Sequence, residues 1–334
     1  MMMELAVFGA PGGGLVVGEG PFEARSTPPS EGVAFYRNDF ALSSSEPWRI
    51  PAVVRELAPG EELPQATKGV LAVAWEEPGV DPFAEVYGEV SQAIRSGSIE
   101  KSVPVIAARG QLKAGKGTHF LRSLSGVAAP LRPYAWIAGD EGFAGLSPEL
   151  LFRREGGTLH TMALAGTARS EEREAFGVDE KEIREHEFVA QTLLAKLSDL
   201  GFTTRHPREI MDLARLVHFH SGIDVELKVA ESTNRLVQVL HPTPALGPLP
   251  RTEETMSQLI EWRTRLNCPP WFGAPFGLMR DGVFEALVAI RMVVWSGQEV
   301  LLPSGCGVIE ESRFVNEWRE LRLKREAVRA AFDL

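Results

Sequence analysis

The amino-acid sequence predicts an α+β protein, and three observations support this fold class. Short strand-like runs separated by Gly, Pro and Ser fill residues 1 to about 80. Residues 133–167 form the clearest β region, in which the turns GDEG and EGG connect three strand-like runs. Apolar residues at helical spacing predict helices in four other segments, at 81–97, 179–200, 252–266 and 310–332.

Composition and charge narrow the class of protein. The chain is 44% hydrophobic and 24% charged, which is typical of a globular protein that buries a large core. The formal net charge of −10 argues against a nucleic-acid-binding surface, and an anionic ligand would need a local cationic pocket. No apolar stretch is long enough to cross a membrane, and the N-terminus lacks a basic signal-peptide region. We therefore expect a cytoplasmic protein without membrane partners.

Cysteine content and helix pattern bear on assembly. With only two cysteines, Cys268 and Cys306, we do not expect a disulfide framework. No CxxC spacing predicts structural zinc. Nothing resembles a long coiled-coil seam. We expect a monomer.

The N-terminal region is predicted to consist of strands and turns. Strands are expected at Leu5–Phe8, Gly14–Val17, Val33–Tyr36 and Val70–Trp75. The glycine-rich GAPGGG at 9–14 invites a phosphate-loop interpretation. It lacks the GKS or GKT ending and precedes another strand-like run rather than a helix, so we interpret it as a hairpin turn.

Two charged residues fall inside predicted β structure. After the helix at 81–97, the segment Ile99–Ala108 is strand-like and carries Lys101 at its start. Glu149 follows Ser-Pro within the hairpin region. Neither position has an assigned role from local pattern alone.

The last predicted helix and the helix at 179–200 present matching carboxylate pairs. Glu317, Glu320 and Lys324 share one face of the last helix, and Glu182 and Glu185 repeat the three-residue spacing on the other. Either face alone is typical of a solvated surface. Two helices that each present two stacked carboxylates can hold one hard divalent cation between them, with oxygen ligands only.

Further strands are predicted at 213–240. If Leu216–Ser221 is extended, His218 and His220 lie on one face of that strand. Two histidines in this arrangement can bind zinc, but the sequence supplies no third ligand. The proline-rich HPTPALGPLP at 241–250 predicts a loop.

The region before the last helix is predicted to be a strand pair, Phe284–Trp295 and Glu299–Leu302. Arg291 lies in the otherwise apolar first strand, and a buried arginine requires an anion. The glycines of SGCGV at 304–308 allow backbone N–H groups to approach a ligand.

Ten segments together resemble the chorismate-utilising family, which includes isochorismate, salicylate, anthranilate and aminodeoxychorismate synthases. They are, in order, EKSVPVIAAR, GLSPELLFR, ALAGTARS, KEIREHEFV, LVHFHSGI, HPTPALG, FGAPFG, VAIRMV, GCGVIEES and NEWRELRLK. The resemblance implies large antiparallel β-sheets packed together with helices outside, in α/β/β/α layers. It also implies one chorismate-binding domain over 1–334, with a variable strand region at 1–90 and a family core at 95–325.

The resemblance implies a magnesium site and two carboxylate-binding groups. Glu185 and Glu320 match the Mg²⁺ ligands, and Glu182 and Glu317 match residues that hold waters or orient those ligands. The residues matched to the substrate carboxylates are Lys324 with the amides of Gly166 and Thr167 for the ring carboxylate, and Arg291 with the amides of Gly305 to Gly307 for the enolpyruvyl carboxylate.

Lys101 and Glu149 take catalytic roles by the same resemblance. Lys101 matches the lysine that activates water, and a pKa lowered by burial or a nearby cation is needed for that role. Glu149 must stay protonated to donate to the departing C4 hydroxyl. The implied reaction adds water at C2 of chorismate and removes water at C4, giving isochorismate.

The family members differ near the proline-rich loop. Salicylate synthases tend to have threonine where this chain has Ala245, and Ala245 followed by Leu246 resembles isochorismate synthases. Salicylate synthase remains the alternative, and a chorismate-binding protein without turnover is a third hypothesis, because Cys306 and the HFHSG segment around His218 depart from the family pattern. Isochorismate feeds menaquinone, siderophore and salicylate routes, and all three are compatible with the sequence.

Overall fold

Two large antiparallel sheets dominate the structure, a computed structural model that describes residues 3–213 and 215–334. The strands of the described residues are, in chain order, β1 Glu4–Gly9, β2 Leu15–Glu19, β3 Glu23–Arg25, β4 Ala34–Arg37, β5 Trp48–Ile50, β6 Val53–Leu57, β7 Ala72–Glu76, β8 Val105–Ala114, β9 Arg132–Ala138, β10 Glu141–Ser147, β11 Leu150–Glu155, β12 Thr158–Arg169, β13 Gly201–Arg205, β14 Glu209–Leu213, β15 Leu216–Leu227, β16 Pro275–Arg280, β17 Val283–Val288, β18 Met292–Ser296 and β19 Glu299–Gly305. The α-helices are α1 Val80–Arg95, α2 Arg173–Gly177, α3 Glu180–Ser198, α4 Thr233–Leu240, α5 Glu253–Arg265 and α6 Phe314–Ala331.

The strands join in two orders. The first sheet runs β6-β2-β1-β9-β10-β18-β19-β8-β7, and the second runs β13-β15-β12-β11-β17-β16-β4-β5-β3, with β14 also paired to β15. N-terminal strands therefore extend both sheets and form part of the same body as the rest of the chain. The α+β fold with large antiparallel sheets is confirmed.

Strand β1 shows how the core is divided. Its Ala6 and Phe8 join the largest apolar cluster, which contains residues of both sheets, whereas Leu5 and Val7 point to a second cluster on the other side. Alternate side chains of an extended strand face opposite sides of a sheet, so the first sheet is covered on both faces here. The hairpin turn predicted at 9–14 is confirmed, since β1 pairs with β2 and Gly9 lies opposite Leu15.

The four predicted helices form within a few residues of their expected bounds. Helix α3 begins where the side chain of Asp179 accepts a hydrogen bond from the Glu182 amide, a cap that contributes about 1 kcal/mol. Helix α6 starts at Phe314 rather than at 310, because the preceding residues form a turn. Helix α3 packs on β12 of the second sheet, and α6 packs on β19 of the first.

Two short connections pass directly from one sheet to the other. Pro148 and Glu149 join β10 of the first sheet to β11 of the second, and residues 289–291 join β17 of the second sheet to β18 of the first. The connections are neighbours, because β10 pairs with β18 and β11 pairs with β17. The amide of Val288 donates to the carbonyl of Glu149 over 3.0 Å, and the amide of Leu146 donates to the carbonyl of Arg291 over 3.1 Å.

Three expected segments differ in the structure. The run predicted as one strand at 284–295 is two strands in different sheets, and Arg291 lies in the connection with a φ of 54°. The strand expected at 99–108 begins only at Val105, after Pro104, and Lys101 instead forms an isolated bridge with Leu249. Residues 213–240 are not all strand, since α4 occupies the end of that range.

In residues 3–213 and 215–334, no helix combines the length and apolar character needed to cross a lipid bilayer.

Candidate active site

A cavity of about 690 Å³ lies beside the two sheet-crossing connections. Most of the residues that the sequence singled out line it: Glu149, Gly166, Thr167, Glu185, His218, Ala245, Leu246, Arg291, Gly305, Gly307, Glu320 and Lys324. Apolar side chains such as Val103, Leu164 and Phe272 complete the wall. Polar groups converging in a largely apolar cleft are typical of a small-molecule site, and we call this space the main cavity.

Glu149 lies in the main cavity because the backbone crosses between sheets at that residue. Its side chain is 3% exposed, and Oε1 accepts a hydrogen bond from Oγ1 of Thr243 over 2.8 Å. Burial raises the pKa of Glu149 to about 7, although the Thr243 hydrogen bond and the nearby Lys101 act in the opposite direction. A carboxyl group with this pKa holds a proton that it can donate near neutral pH.

Lys101 lies directly behind Glu185 and is completely buried. Its Nζ has no hydrogen-bond partner within the described residues, and the nearest carboxylate oxygen is Glu185 Oε1 at 3.7 Å. Burial lowers the pKa of Lys101, Glu185 opposes the change, and the ammonium of Lys324 adds to it. An amine whose charged form is penalised in this way can accept a proton.

Gly307 makes the approach of these two side chains possible. A Cβ at this position would lie 2.5 Å from Glu185 Oε1 and 3.1 Å from Lys101 Cε. The absence of a side chain therefore brings the backbone against the carboxylate and the lysine, as expected of a glycine beside a ligand site.

Arg291 is oriented by His218. Nη2 of Arg291 lies 2.7 Å from Nε2 of His218, and Nδ1 of His218 lies 2.5 Å from the carbonyl oxygen of Gly166. Because arginine can only donate, Nε2 of His218 must accept, and Nδ1 carries the proton donated to Gly166. Burial and the Arg291 charge hold the pKa of His218 well below its ordinary value, so the ring is neutral.

Strand β12 has a bulge at Gly166 and Thr167, where pairing with β15 is interrupted. Gly166 has a φ of 77°, a left-handed conformation that glycine adopts without a steric penalty. The amide of Thr167 donates to Oε2 of Glu182 over 2.9 Å. This amide was expected to face a substrate carboxylate, and here it orients Glu182 instead.

Lys324 and the backbone of residues 304–308 already make contacts within the protein. Nζ of Lys324 lies 2.5 Å from Oε1 of Glu320 and donates to the carbonyl of Gly305 over 2.8 Å. The amide of Cys306 donates to the carbonyl of Pro104 over 3.4 Å, so this member of the expected amide group is directed to the backbone. The third ammonium hydrogen of Lys324 stays available to the main cavity it lines.

The matching carboxylate pairs of α3 and α6 face each other, as the sequence predicted. Glu185 and Glu320 line the main cavity, whereas Glu182 and Glu317 line an adjoining cavity of about 1370 Å³ that also contains Thr167 and Glu320. We call Glu182, Glu185, Glu317 and Glu320 the carboxylate cluster. The cluster joins the two cavities.

Glu317 is the most buried member of the carboxylate cluster. Its side chain is 1% exposed, and neither carboxylate oxygen has a hydrogen-bond partner in the part of the chain that the structure describes. Burial raises the pKa of Glu317 to about 8, with a further contribution from Glu320, although Lys181 and the nearby Ser312 hydroxyl act in the opposite direction. A buried carboxylate without donors is expensive, and a nearby cation or a metal-bound water would relieve the cost.

The ammonium of Lys181 lies among three members of the cluster. Its Nζ is 2.9 Å from Glu182 Oε1, 3.5 Å from Glu185 Oε2 and 3.6 Å from Glu317 Oε1. Burial alone would lower the pKa of Lys181, but the carboxylates outweigh burial and raise it. The ammonium is therefore charged.

The donor chemistry fits a hard divalent cation, because the cluster supplies oxygen ligands only and includes the unpartnered Glu317. Among the described residues, no three His, Cys, Asp or Glu side chains already converge at metal-binding distances. The two histidines considered for zinc have other partners: His218 contacts Gly166 and Arg291, and Nδ1 of His220 lies 3.0 Å from Glu209 Oε1.

Two residues of this site were missed in the sequence. Thr243 lies in the HPTPALGPLP segment, where only Ala245 and Leu246 were singled out. Lys181 directly precedes Glu182 in KEIREHEFV, and an adjacent position on a helix predicts a different direction. The signal available for Lys181 was its place in the first helical turn, where a cation opposes the helix dipole and needs a compensating anion.

The chain is similar to several known proteins. A protein-family model described as chorismate binding enzyme matches residues 49–333. The chain is 32% identical over 211 residues to the salicylate biosynthesis isochorismate synthase of Pseudomonas aeruginosa and 31% identical over 205 residues to isochorismate synthase MenF of Bacillus subtilis, matches that cover 60% and 57% of this chain. The matched segments span only 44% and 43% of those relatives, so the chain covers less than half of each.

The fold has a solved counterpart in MenF, the menaquinone-specific isochorismate synthase from Escherichia coli. The two superpose with a TM-score of 0.81 at 18% identity, over 99% of this chain and 88% of the other. At 18% identity, this comparison shows a shared fold and no more.

Proposed function

The chain belongs to the chorismate binding enzyme family, and from that premise we propose that it is an isochorismate synthase. The proposed reaction adds water at C2 of chorismate and expels the C4 hydroxyl as water. Atoms balance, because one water enters and one leaves, and the product is an isomer of the substrate.

One observation carries the proposal: a buried carboxyl group lines the main cavity, and a buried amine with the opposite pKa shift lies 3.7 Å from Glu185, which lines the same cavity. Burial lowers the pKa of Lys101 and raises that of Glu149 to about 7. The addition of one water and the loss of another require a base whose charged form is disfavoured and an acid that keeps its proton near neutral pH. The two related isochorismate synthases support the choice of reaction.

Lys101 acts as the general base in the proposed mechanism. In its deprotonated form, Nζ takes a proton from water while the water oxygen forms a bond to C2. The position behind Glu185 and Gly307 excludes bulk solvent, since the side chain is completely buried. The ammonium formed in this step is stabilised by Glu185, 3.7 Å away.

Glu149 acts as the general acid. Because Thr243 donates to Oε1, the acidic proton belongs on Oε2, from which it passes to the departing C4 hydroxyl. The ring double bonds shift as the C4–O bond breaks. After turnover, the proton on Lys101 returns to solvent and Glu149 is protonated again.

Arg291 and Lys324 neutralise the two carboxylates of chorismate. Arg291 is held by His218 and its pKa is lowered by burial to about 10, so it remains a cation at neutral pH. Lys324 lines the same cavity from α6. These two residues provide the cationic groups that a dianionic substrate needs in a protein of net charge −10.

We further propose that the carboxylate cluster holds Mg²⁺, with Glu185 and Glu320 as direct ligands and Glu182 and Glu317 as supporting residues. A bound ion would supply positive charge that neutralises a substrate carboxylate. Glu182 is oriented for this role by the amide of Thr167.

Incubation of the purified protein with chorismate and Mg²⁺ in H₂¹⁸O tests the proposal. We expect isochorismate by chromatography, with one ¹⁸O atom at C2 by mass spectrometry. Salicylate with pyruvate would assign a salicylate synthase instead, and calorimetric binding of chorismate without product would assign a binding protein. Glu149→Gln should abolish product formation. Glu85→Gln, at an exposed position on α1, is the control and should form product like the wild type.

A further inference from the structure

The cation among the carboxylates of α3 and α6 belongs to the protein itself. Nζ of Lys181 is within 3.6 Å of oxygens from Glu182, Glu185 and Glu317, which come from two different helices. These side chains belong to the cluster proposed to hold Mg²⁺. A metal ion and an ammonium cannot occupy the same space between them.

We propose that the ammonium of Lys181 is an internal counterion, which occupies the carboxylate cluster of the free protein and is displaced when a divalent cation binds. Lys181 thereby sets the affinity for Mg²⁺. This inference rests on the proposed metal site of the preceding subsection.

Three features of the structure support displacement rather than a permanent ion pair. The distances of 3.5 Å to Glu185 and 3.6 Å to Glu317 exceed that of a good charge-assisted hydrogen bond, so two of the three contacts are loose. The side chain of Lys181 is 26% exposed and lines the adjoining cavity of about 1370 Å³, which gives the ammonium a route to solvent.

The third feature is the position of Lys181 on its helix. Helix α3 begins at Glu180, so Lys181 lies in the first turn, where the partial positive charge of the helix disfavours a cation. The carboxylates compensate for this arrangement while no metal is bound. Once a divalent cation neutralises them, nothing in the described surroundings retains the ammonium.

The buried Glu317 explains why a counterion is needed at all. Both of its carboxylate oxygens lack hydrogen-bond partners in the described part of the chain, and its side chain is 1% exposed. Without Lys181 or a metal ion, no cation would lie between the acidic side chains of α3 and α6. The lysine therefore bridges acidic side chains of both helices in the metal-free protein.

The test measures Mg²⁺ binding to the substrate-free protein by isothermal titration calorimetry. Lys181→Met removes the competing charge and keeps the length of the side chain, and we expect Mg²⁺ to bind at least about tenfold more tightly than to the wild type. The interaction of unit charges at about 4 Å in a partly hydrated site is large enough for this change. Lys181→Arg keeps the charge and should not tighten binding.

Arg184→Met is the matched control, because it removes one positive charge from the same helix at an exposed side chain that pairs with Glu311 instead. We expect its Mg²⁺ affinity to stay within about twofold of the wild type. Equal or weaker Mg²⁺ binding by Lys181→Met would overturn the inference, and so would an equal gain in the Arg184 variant.

A second measurement uses the unmodified protein and remains decisive if Lys181→Met does not fold. Acetylation of Lys181, followed by mass spectrometry, should be several-fold faster with Mg²⁺ than with EDTA, because displacement releases the amine. An unchanged rate would contradict displacement. The acetylation rate of Lys113, which is exposed on β8, measures any general effect of Mg²⁺ on the reagent.

The outcomes also separate this inference from the proposed function. If the wild type converts chorismate with Mg²⁺ but Lys181→Met binds the ion no more tightly, only the role of Lys181 is wrong. If no variant binds Mg²⁺ even with chorismate present, both the metal site and the counterion role are overturned.

Discussion

The hydroxyl of Thr243 donates a hydrogen bond of 2.8 Å to Oε1 of Glu149, and both side chains are buried. A hydrogen bond to a carboxylate favours its ionised form. It therefore limits the rise in the pKa of Glu149 that burial causes. Thr243, in the proline-rich loop, thus lowers the pKa of Glu149 on the sheet-crossing connection.

Replacement of Thr243 by valine should move the alkaline limb of the pH profile of kcat/KM to higher pH. Glu149 must be protonated to act as an acid, so activity falls as pH rises through its pKa of about 7. Loss of the hydrogen bond raises that pKa further. Thr192→Val, whose hydroxyl bonds to the Phe188 carbonyl within α3, should leave the limb in place. A shift to lower pH in Thr243→Val would contradict the assignment.

Glu149→Gln should stabilise the fold, and more at pH 8 than at pH 4.5. The folded protein keeps the Glu149 proton up to about pH 7, while the unfolded chain releases it near its ordinary pKa of 4.5. The folded state binds more protons between these values, so stability falls as pH rises through that window. The full shift corresponds to about 3 kcal/mol as an upper estimate. Urea denaturation at the two pH values measures the gain, and an equal gain at both would disprove its electrostatic origin.

Lys101→Met should lower kcat by roughly 10²–10⁴-fold, the usual contribution of a general base. Chorismate affinity by calorimetry should change little, because Lys101 is not among the residues that line the main cavity and its proposed role is to activate water. Lys113→Met, on the exposed face of β8, provides the control. A rise in KM with unchanged kcat would show that Lys101 binds substrate instead.

Glu320→Gln should weaken Mg²⁺ binding more than Glu317→Gln does. Glu320 lines both cavities and was assigned as a direct ligand, whereas Glu317 lies behind it. Supporting residues of metal sites typically contribute about 10–100-fold in affinity or activity, and loss of a direct ligand contributes more. The Mg²⁺ concentration for half-maximal activity measures both, with the exposed Glu326→Gln as control. The reverse order would exchange the two roles.

His218→Leu should raise the KM for chorismate about tenfold with a smaller effect on kcat. The substitution removes the acceptor at 2.7 Å that orients Arg291. Because the two side chains act together, Arg291→Lys should add little to His218→Leu in a double-mutant cycle. His220→Gln, whose side chain contacts Glu209, should keep KM within about twofold. Additive effects in the cycle would mean that His218 and Arg291 act independently.

The positions predicted best from the sequence are those of side chains on the faces of helices. The spacing of Glu182 and Glu185, and of Glu317 and Glu320, places each pair on one face, and both faces meet at the joined cavities. Lys181 was missed because its direction depends on where α6 packs, which is a tertiary property.

The sheet-crossing residues were predicted less well. An apolar run such as 284–295 is compatible with one long strand, and no local signal shows that it leaves one sheet for the other at Arg291. Glu149 was recognised as a candidate, but its contact with Thr243 depends on a loop about a hundred residues further along the chain.

The pair of neighbouring connections between the sheets also constrains which molecules can react. Backbone hydrogen bonds tie Glu149 to Val288 and Arg291 to Leu146, so the main chain fixes where the two side chains begin. His218 and Thr243 then hold the guanidinium and the carboxyl group at the ends of these side chains. For an enzyme acting on chorismate, selectivity among analogues therefore depends on the span between the leaving hydroxyl and the enolpyruvyl carboxylate, and compounds that alter this span should bind without reacting.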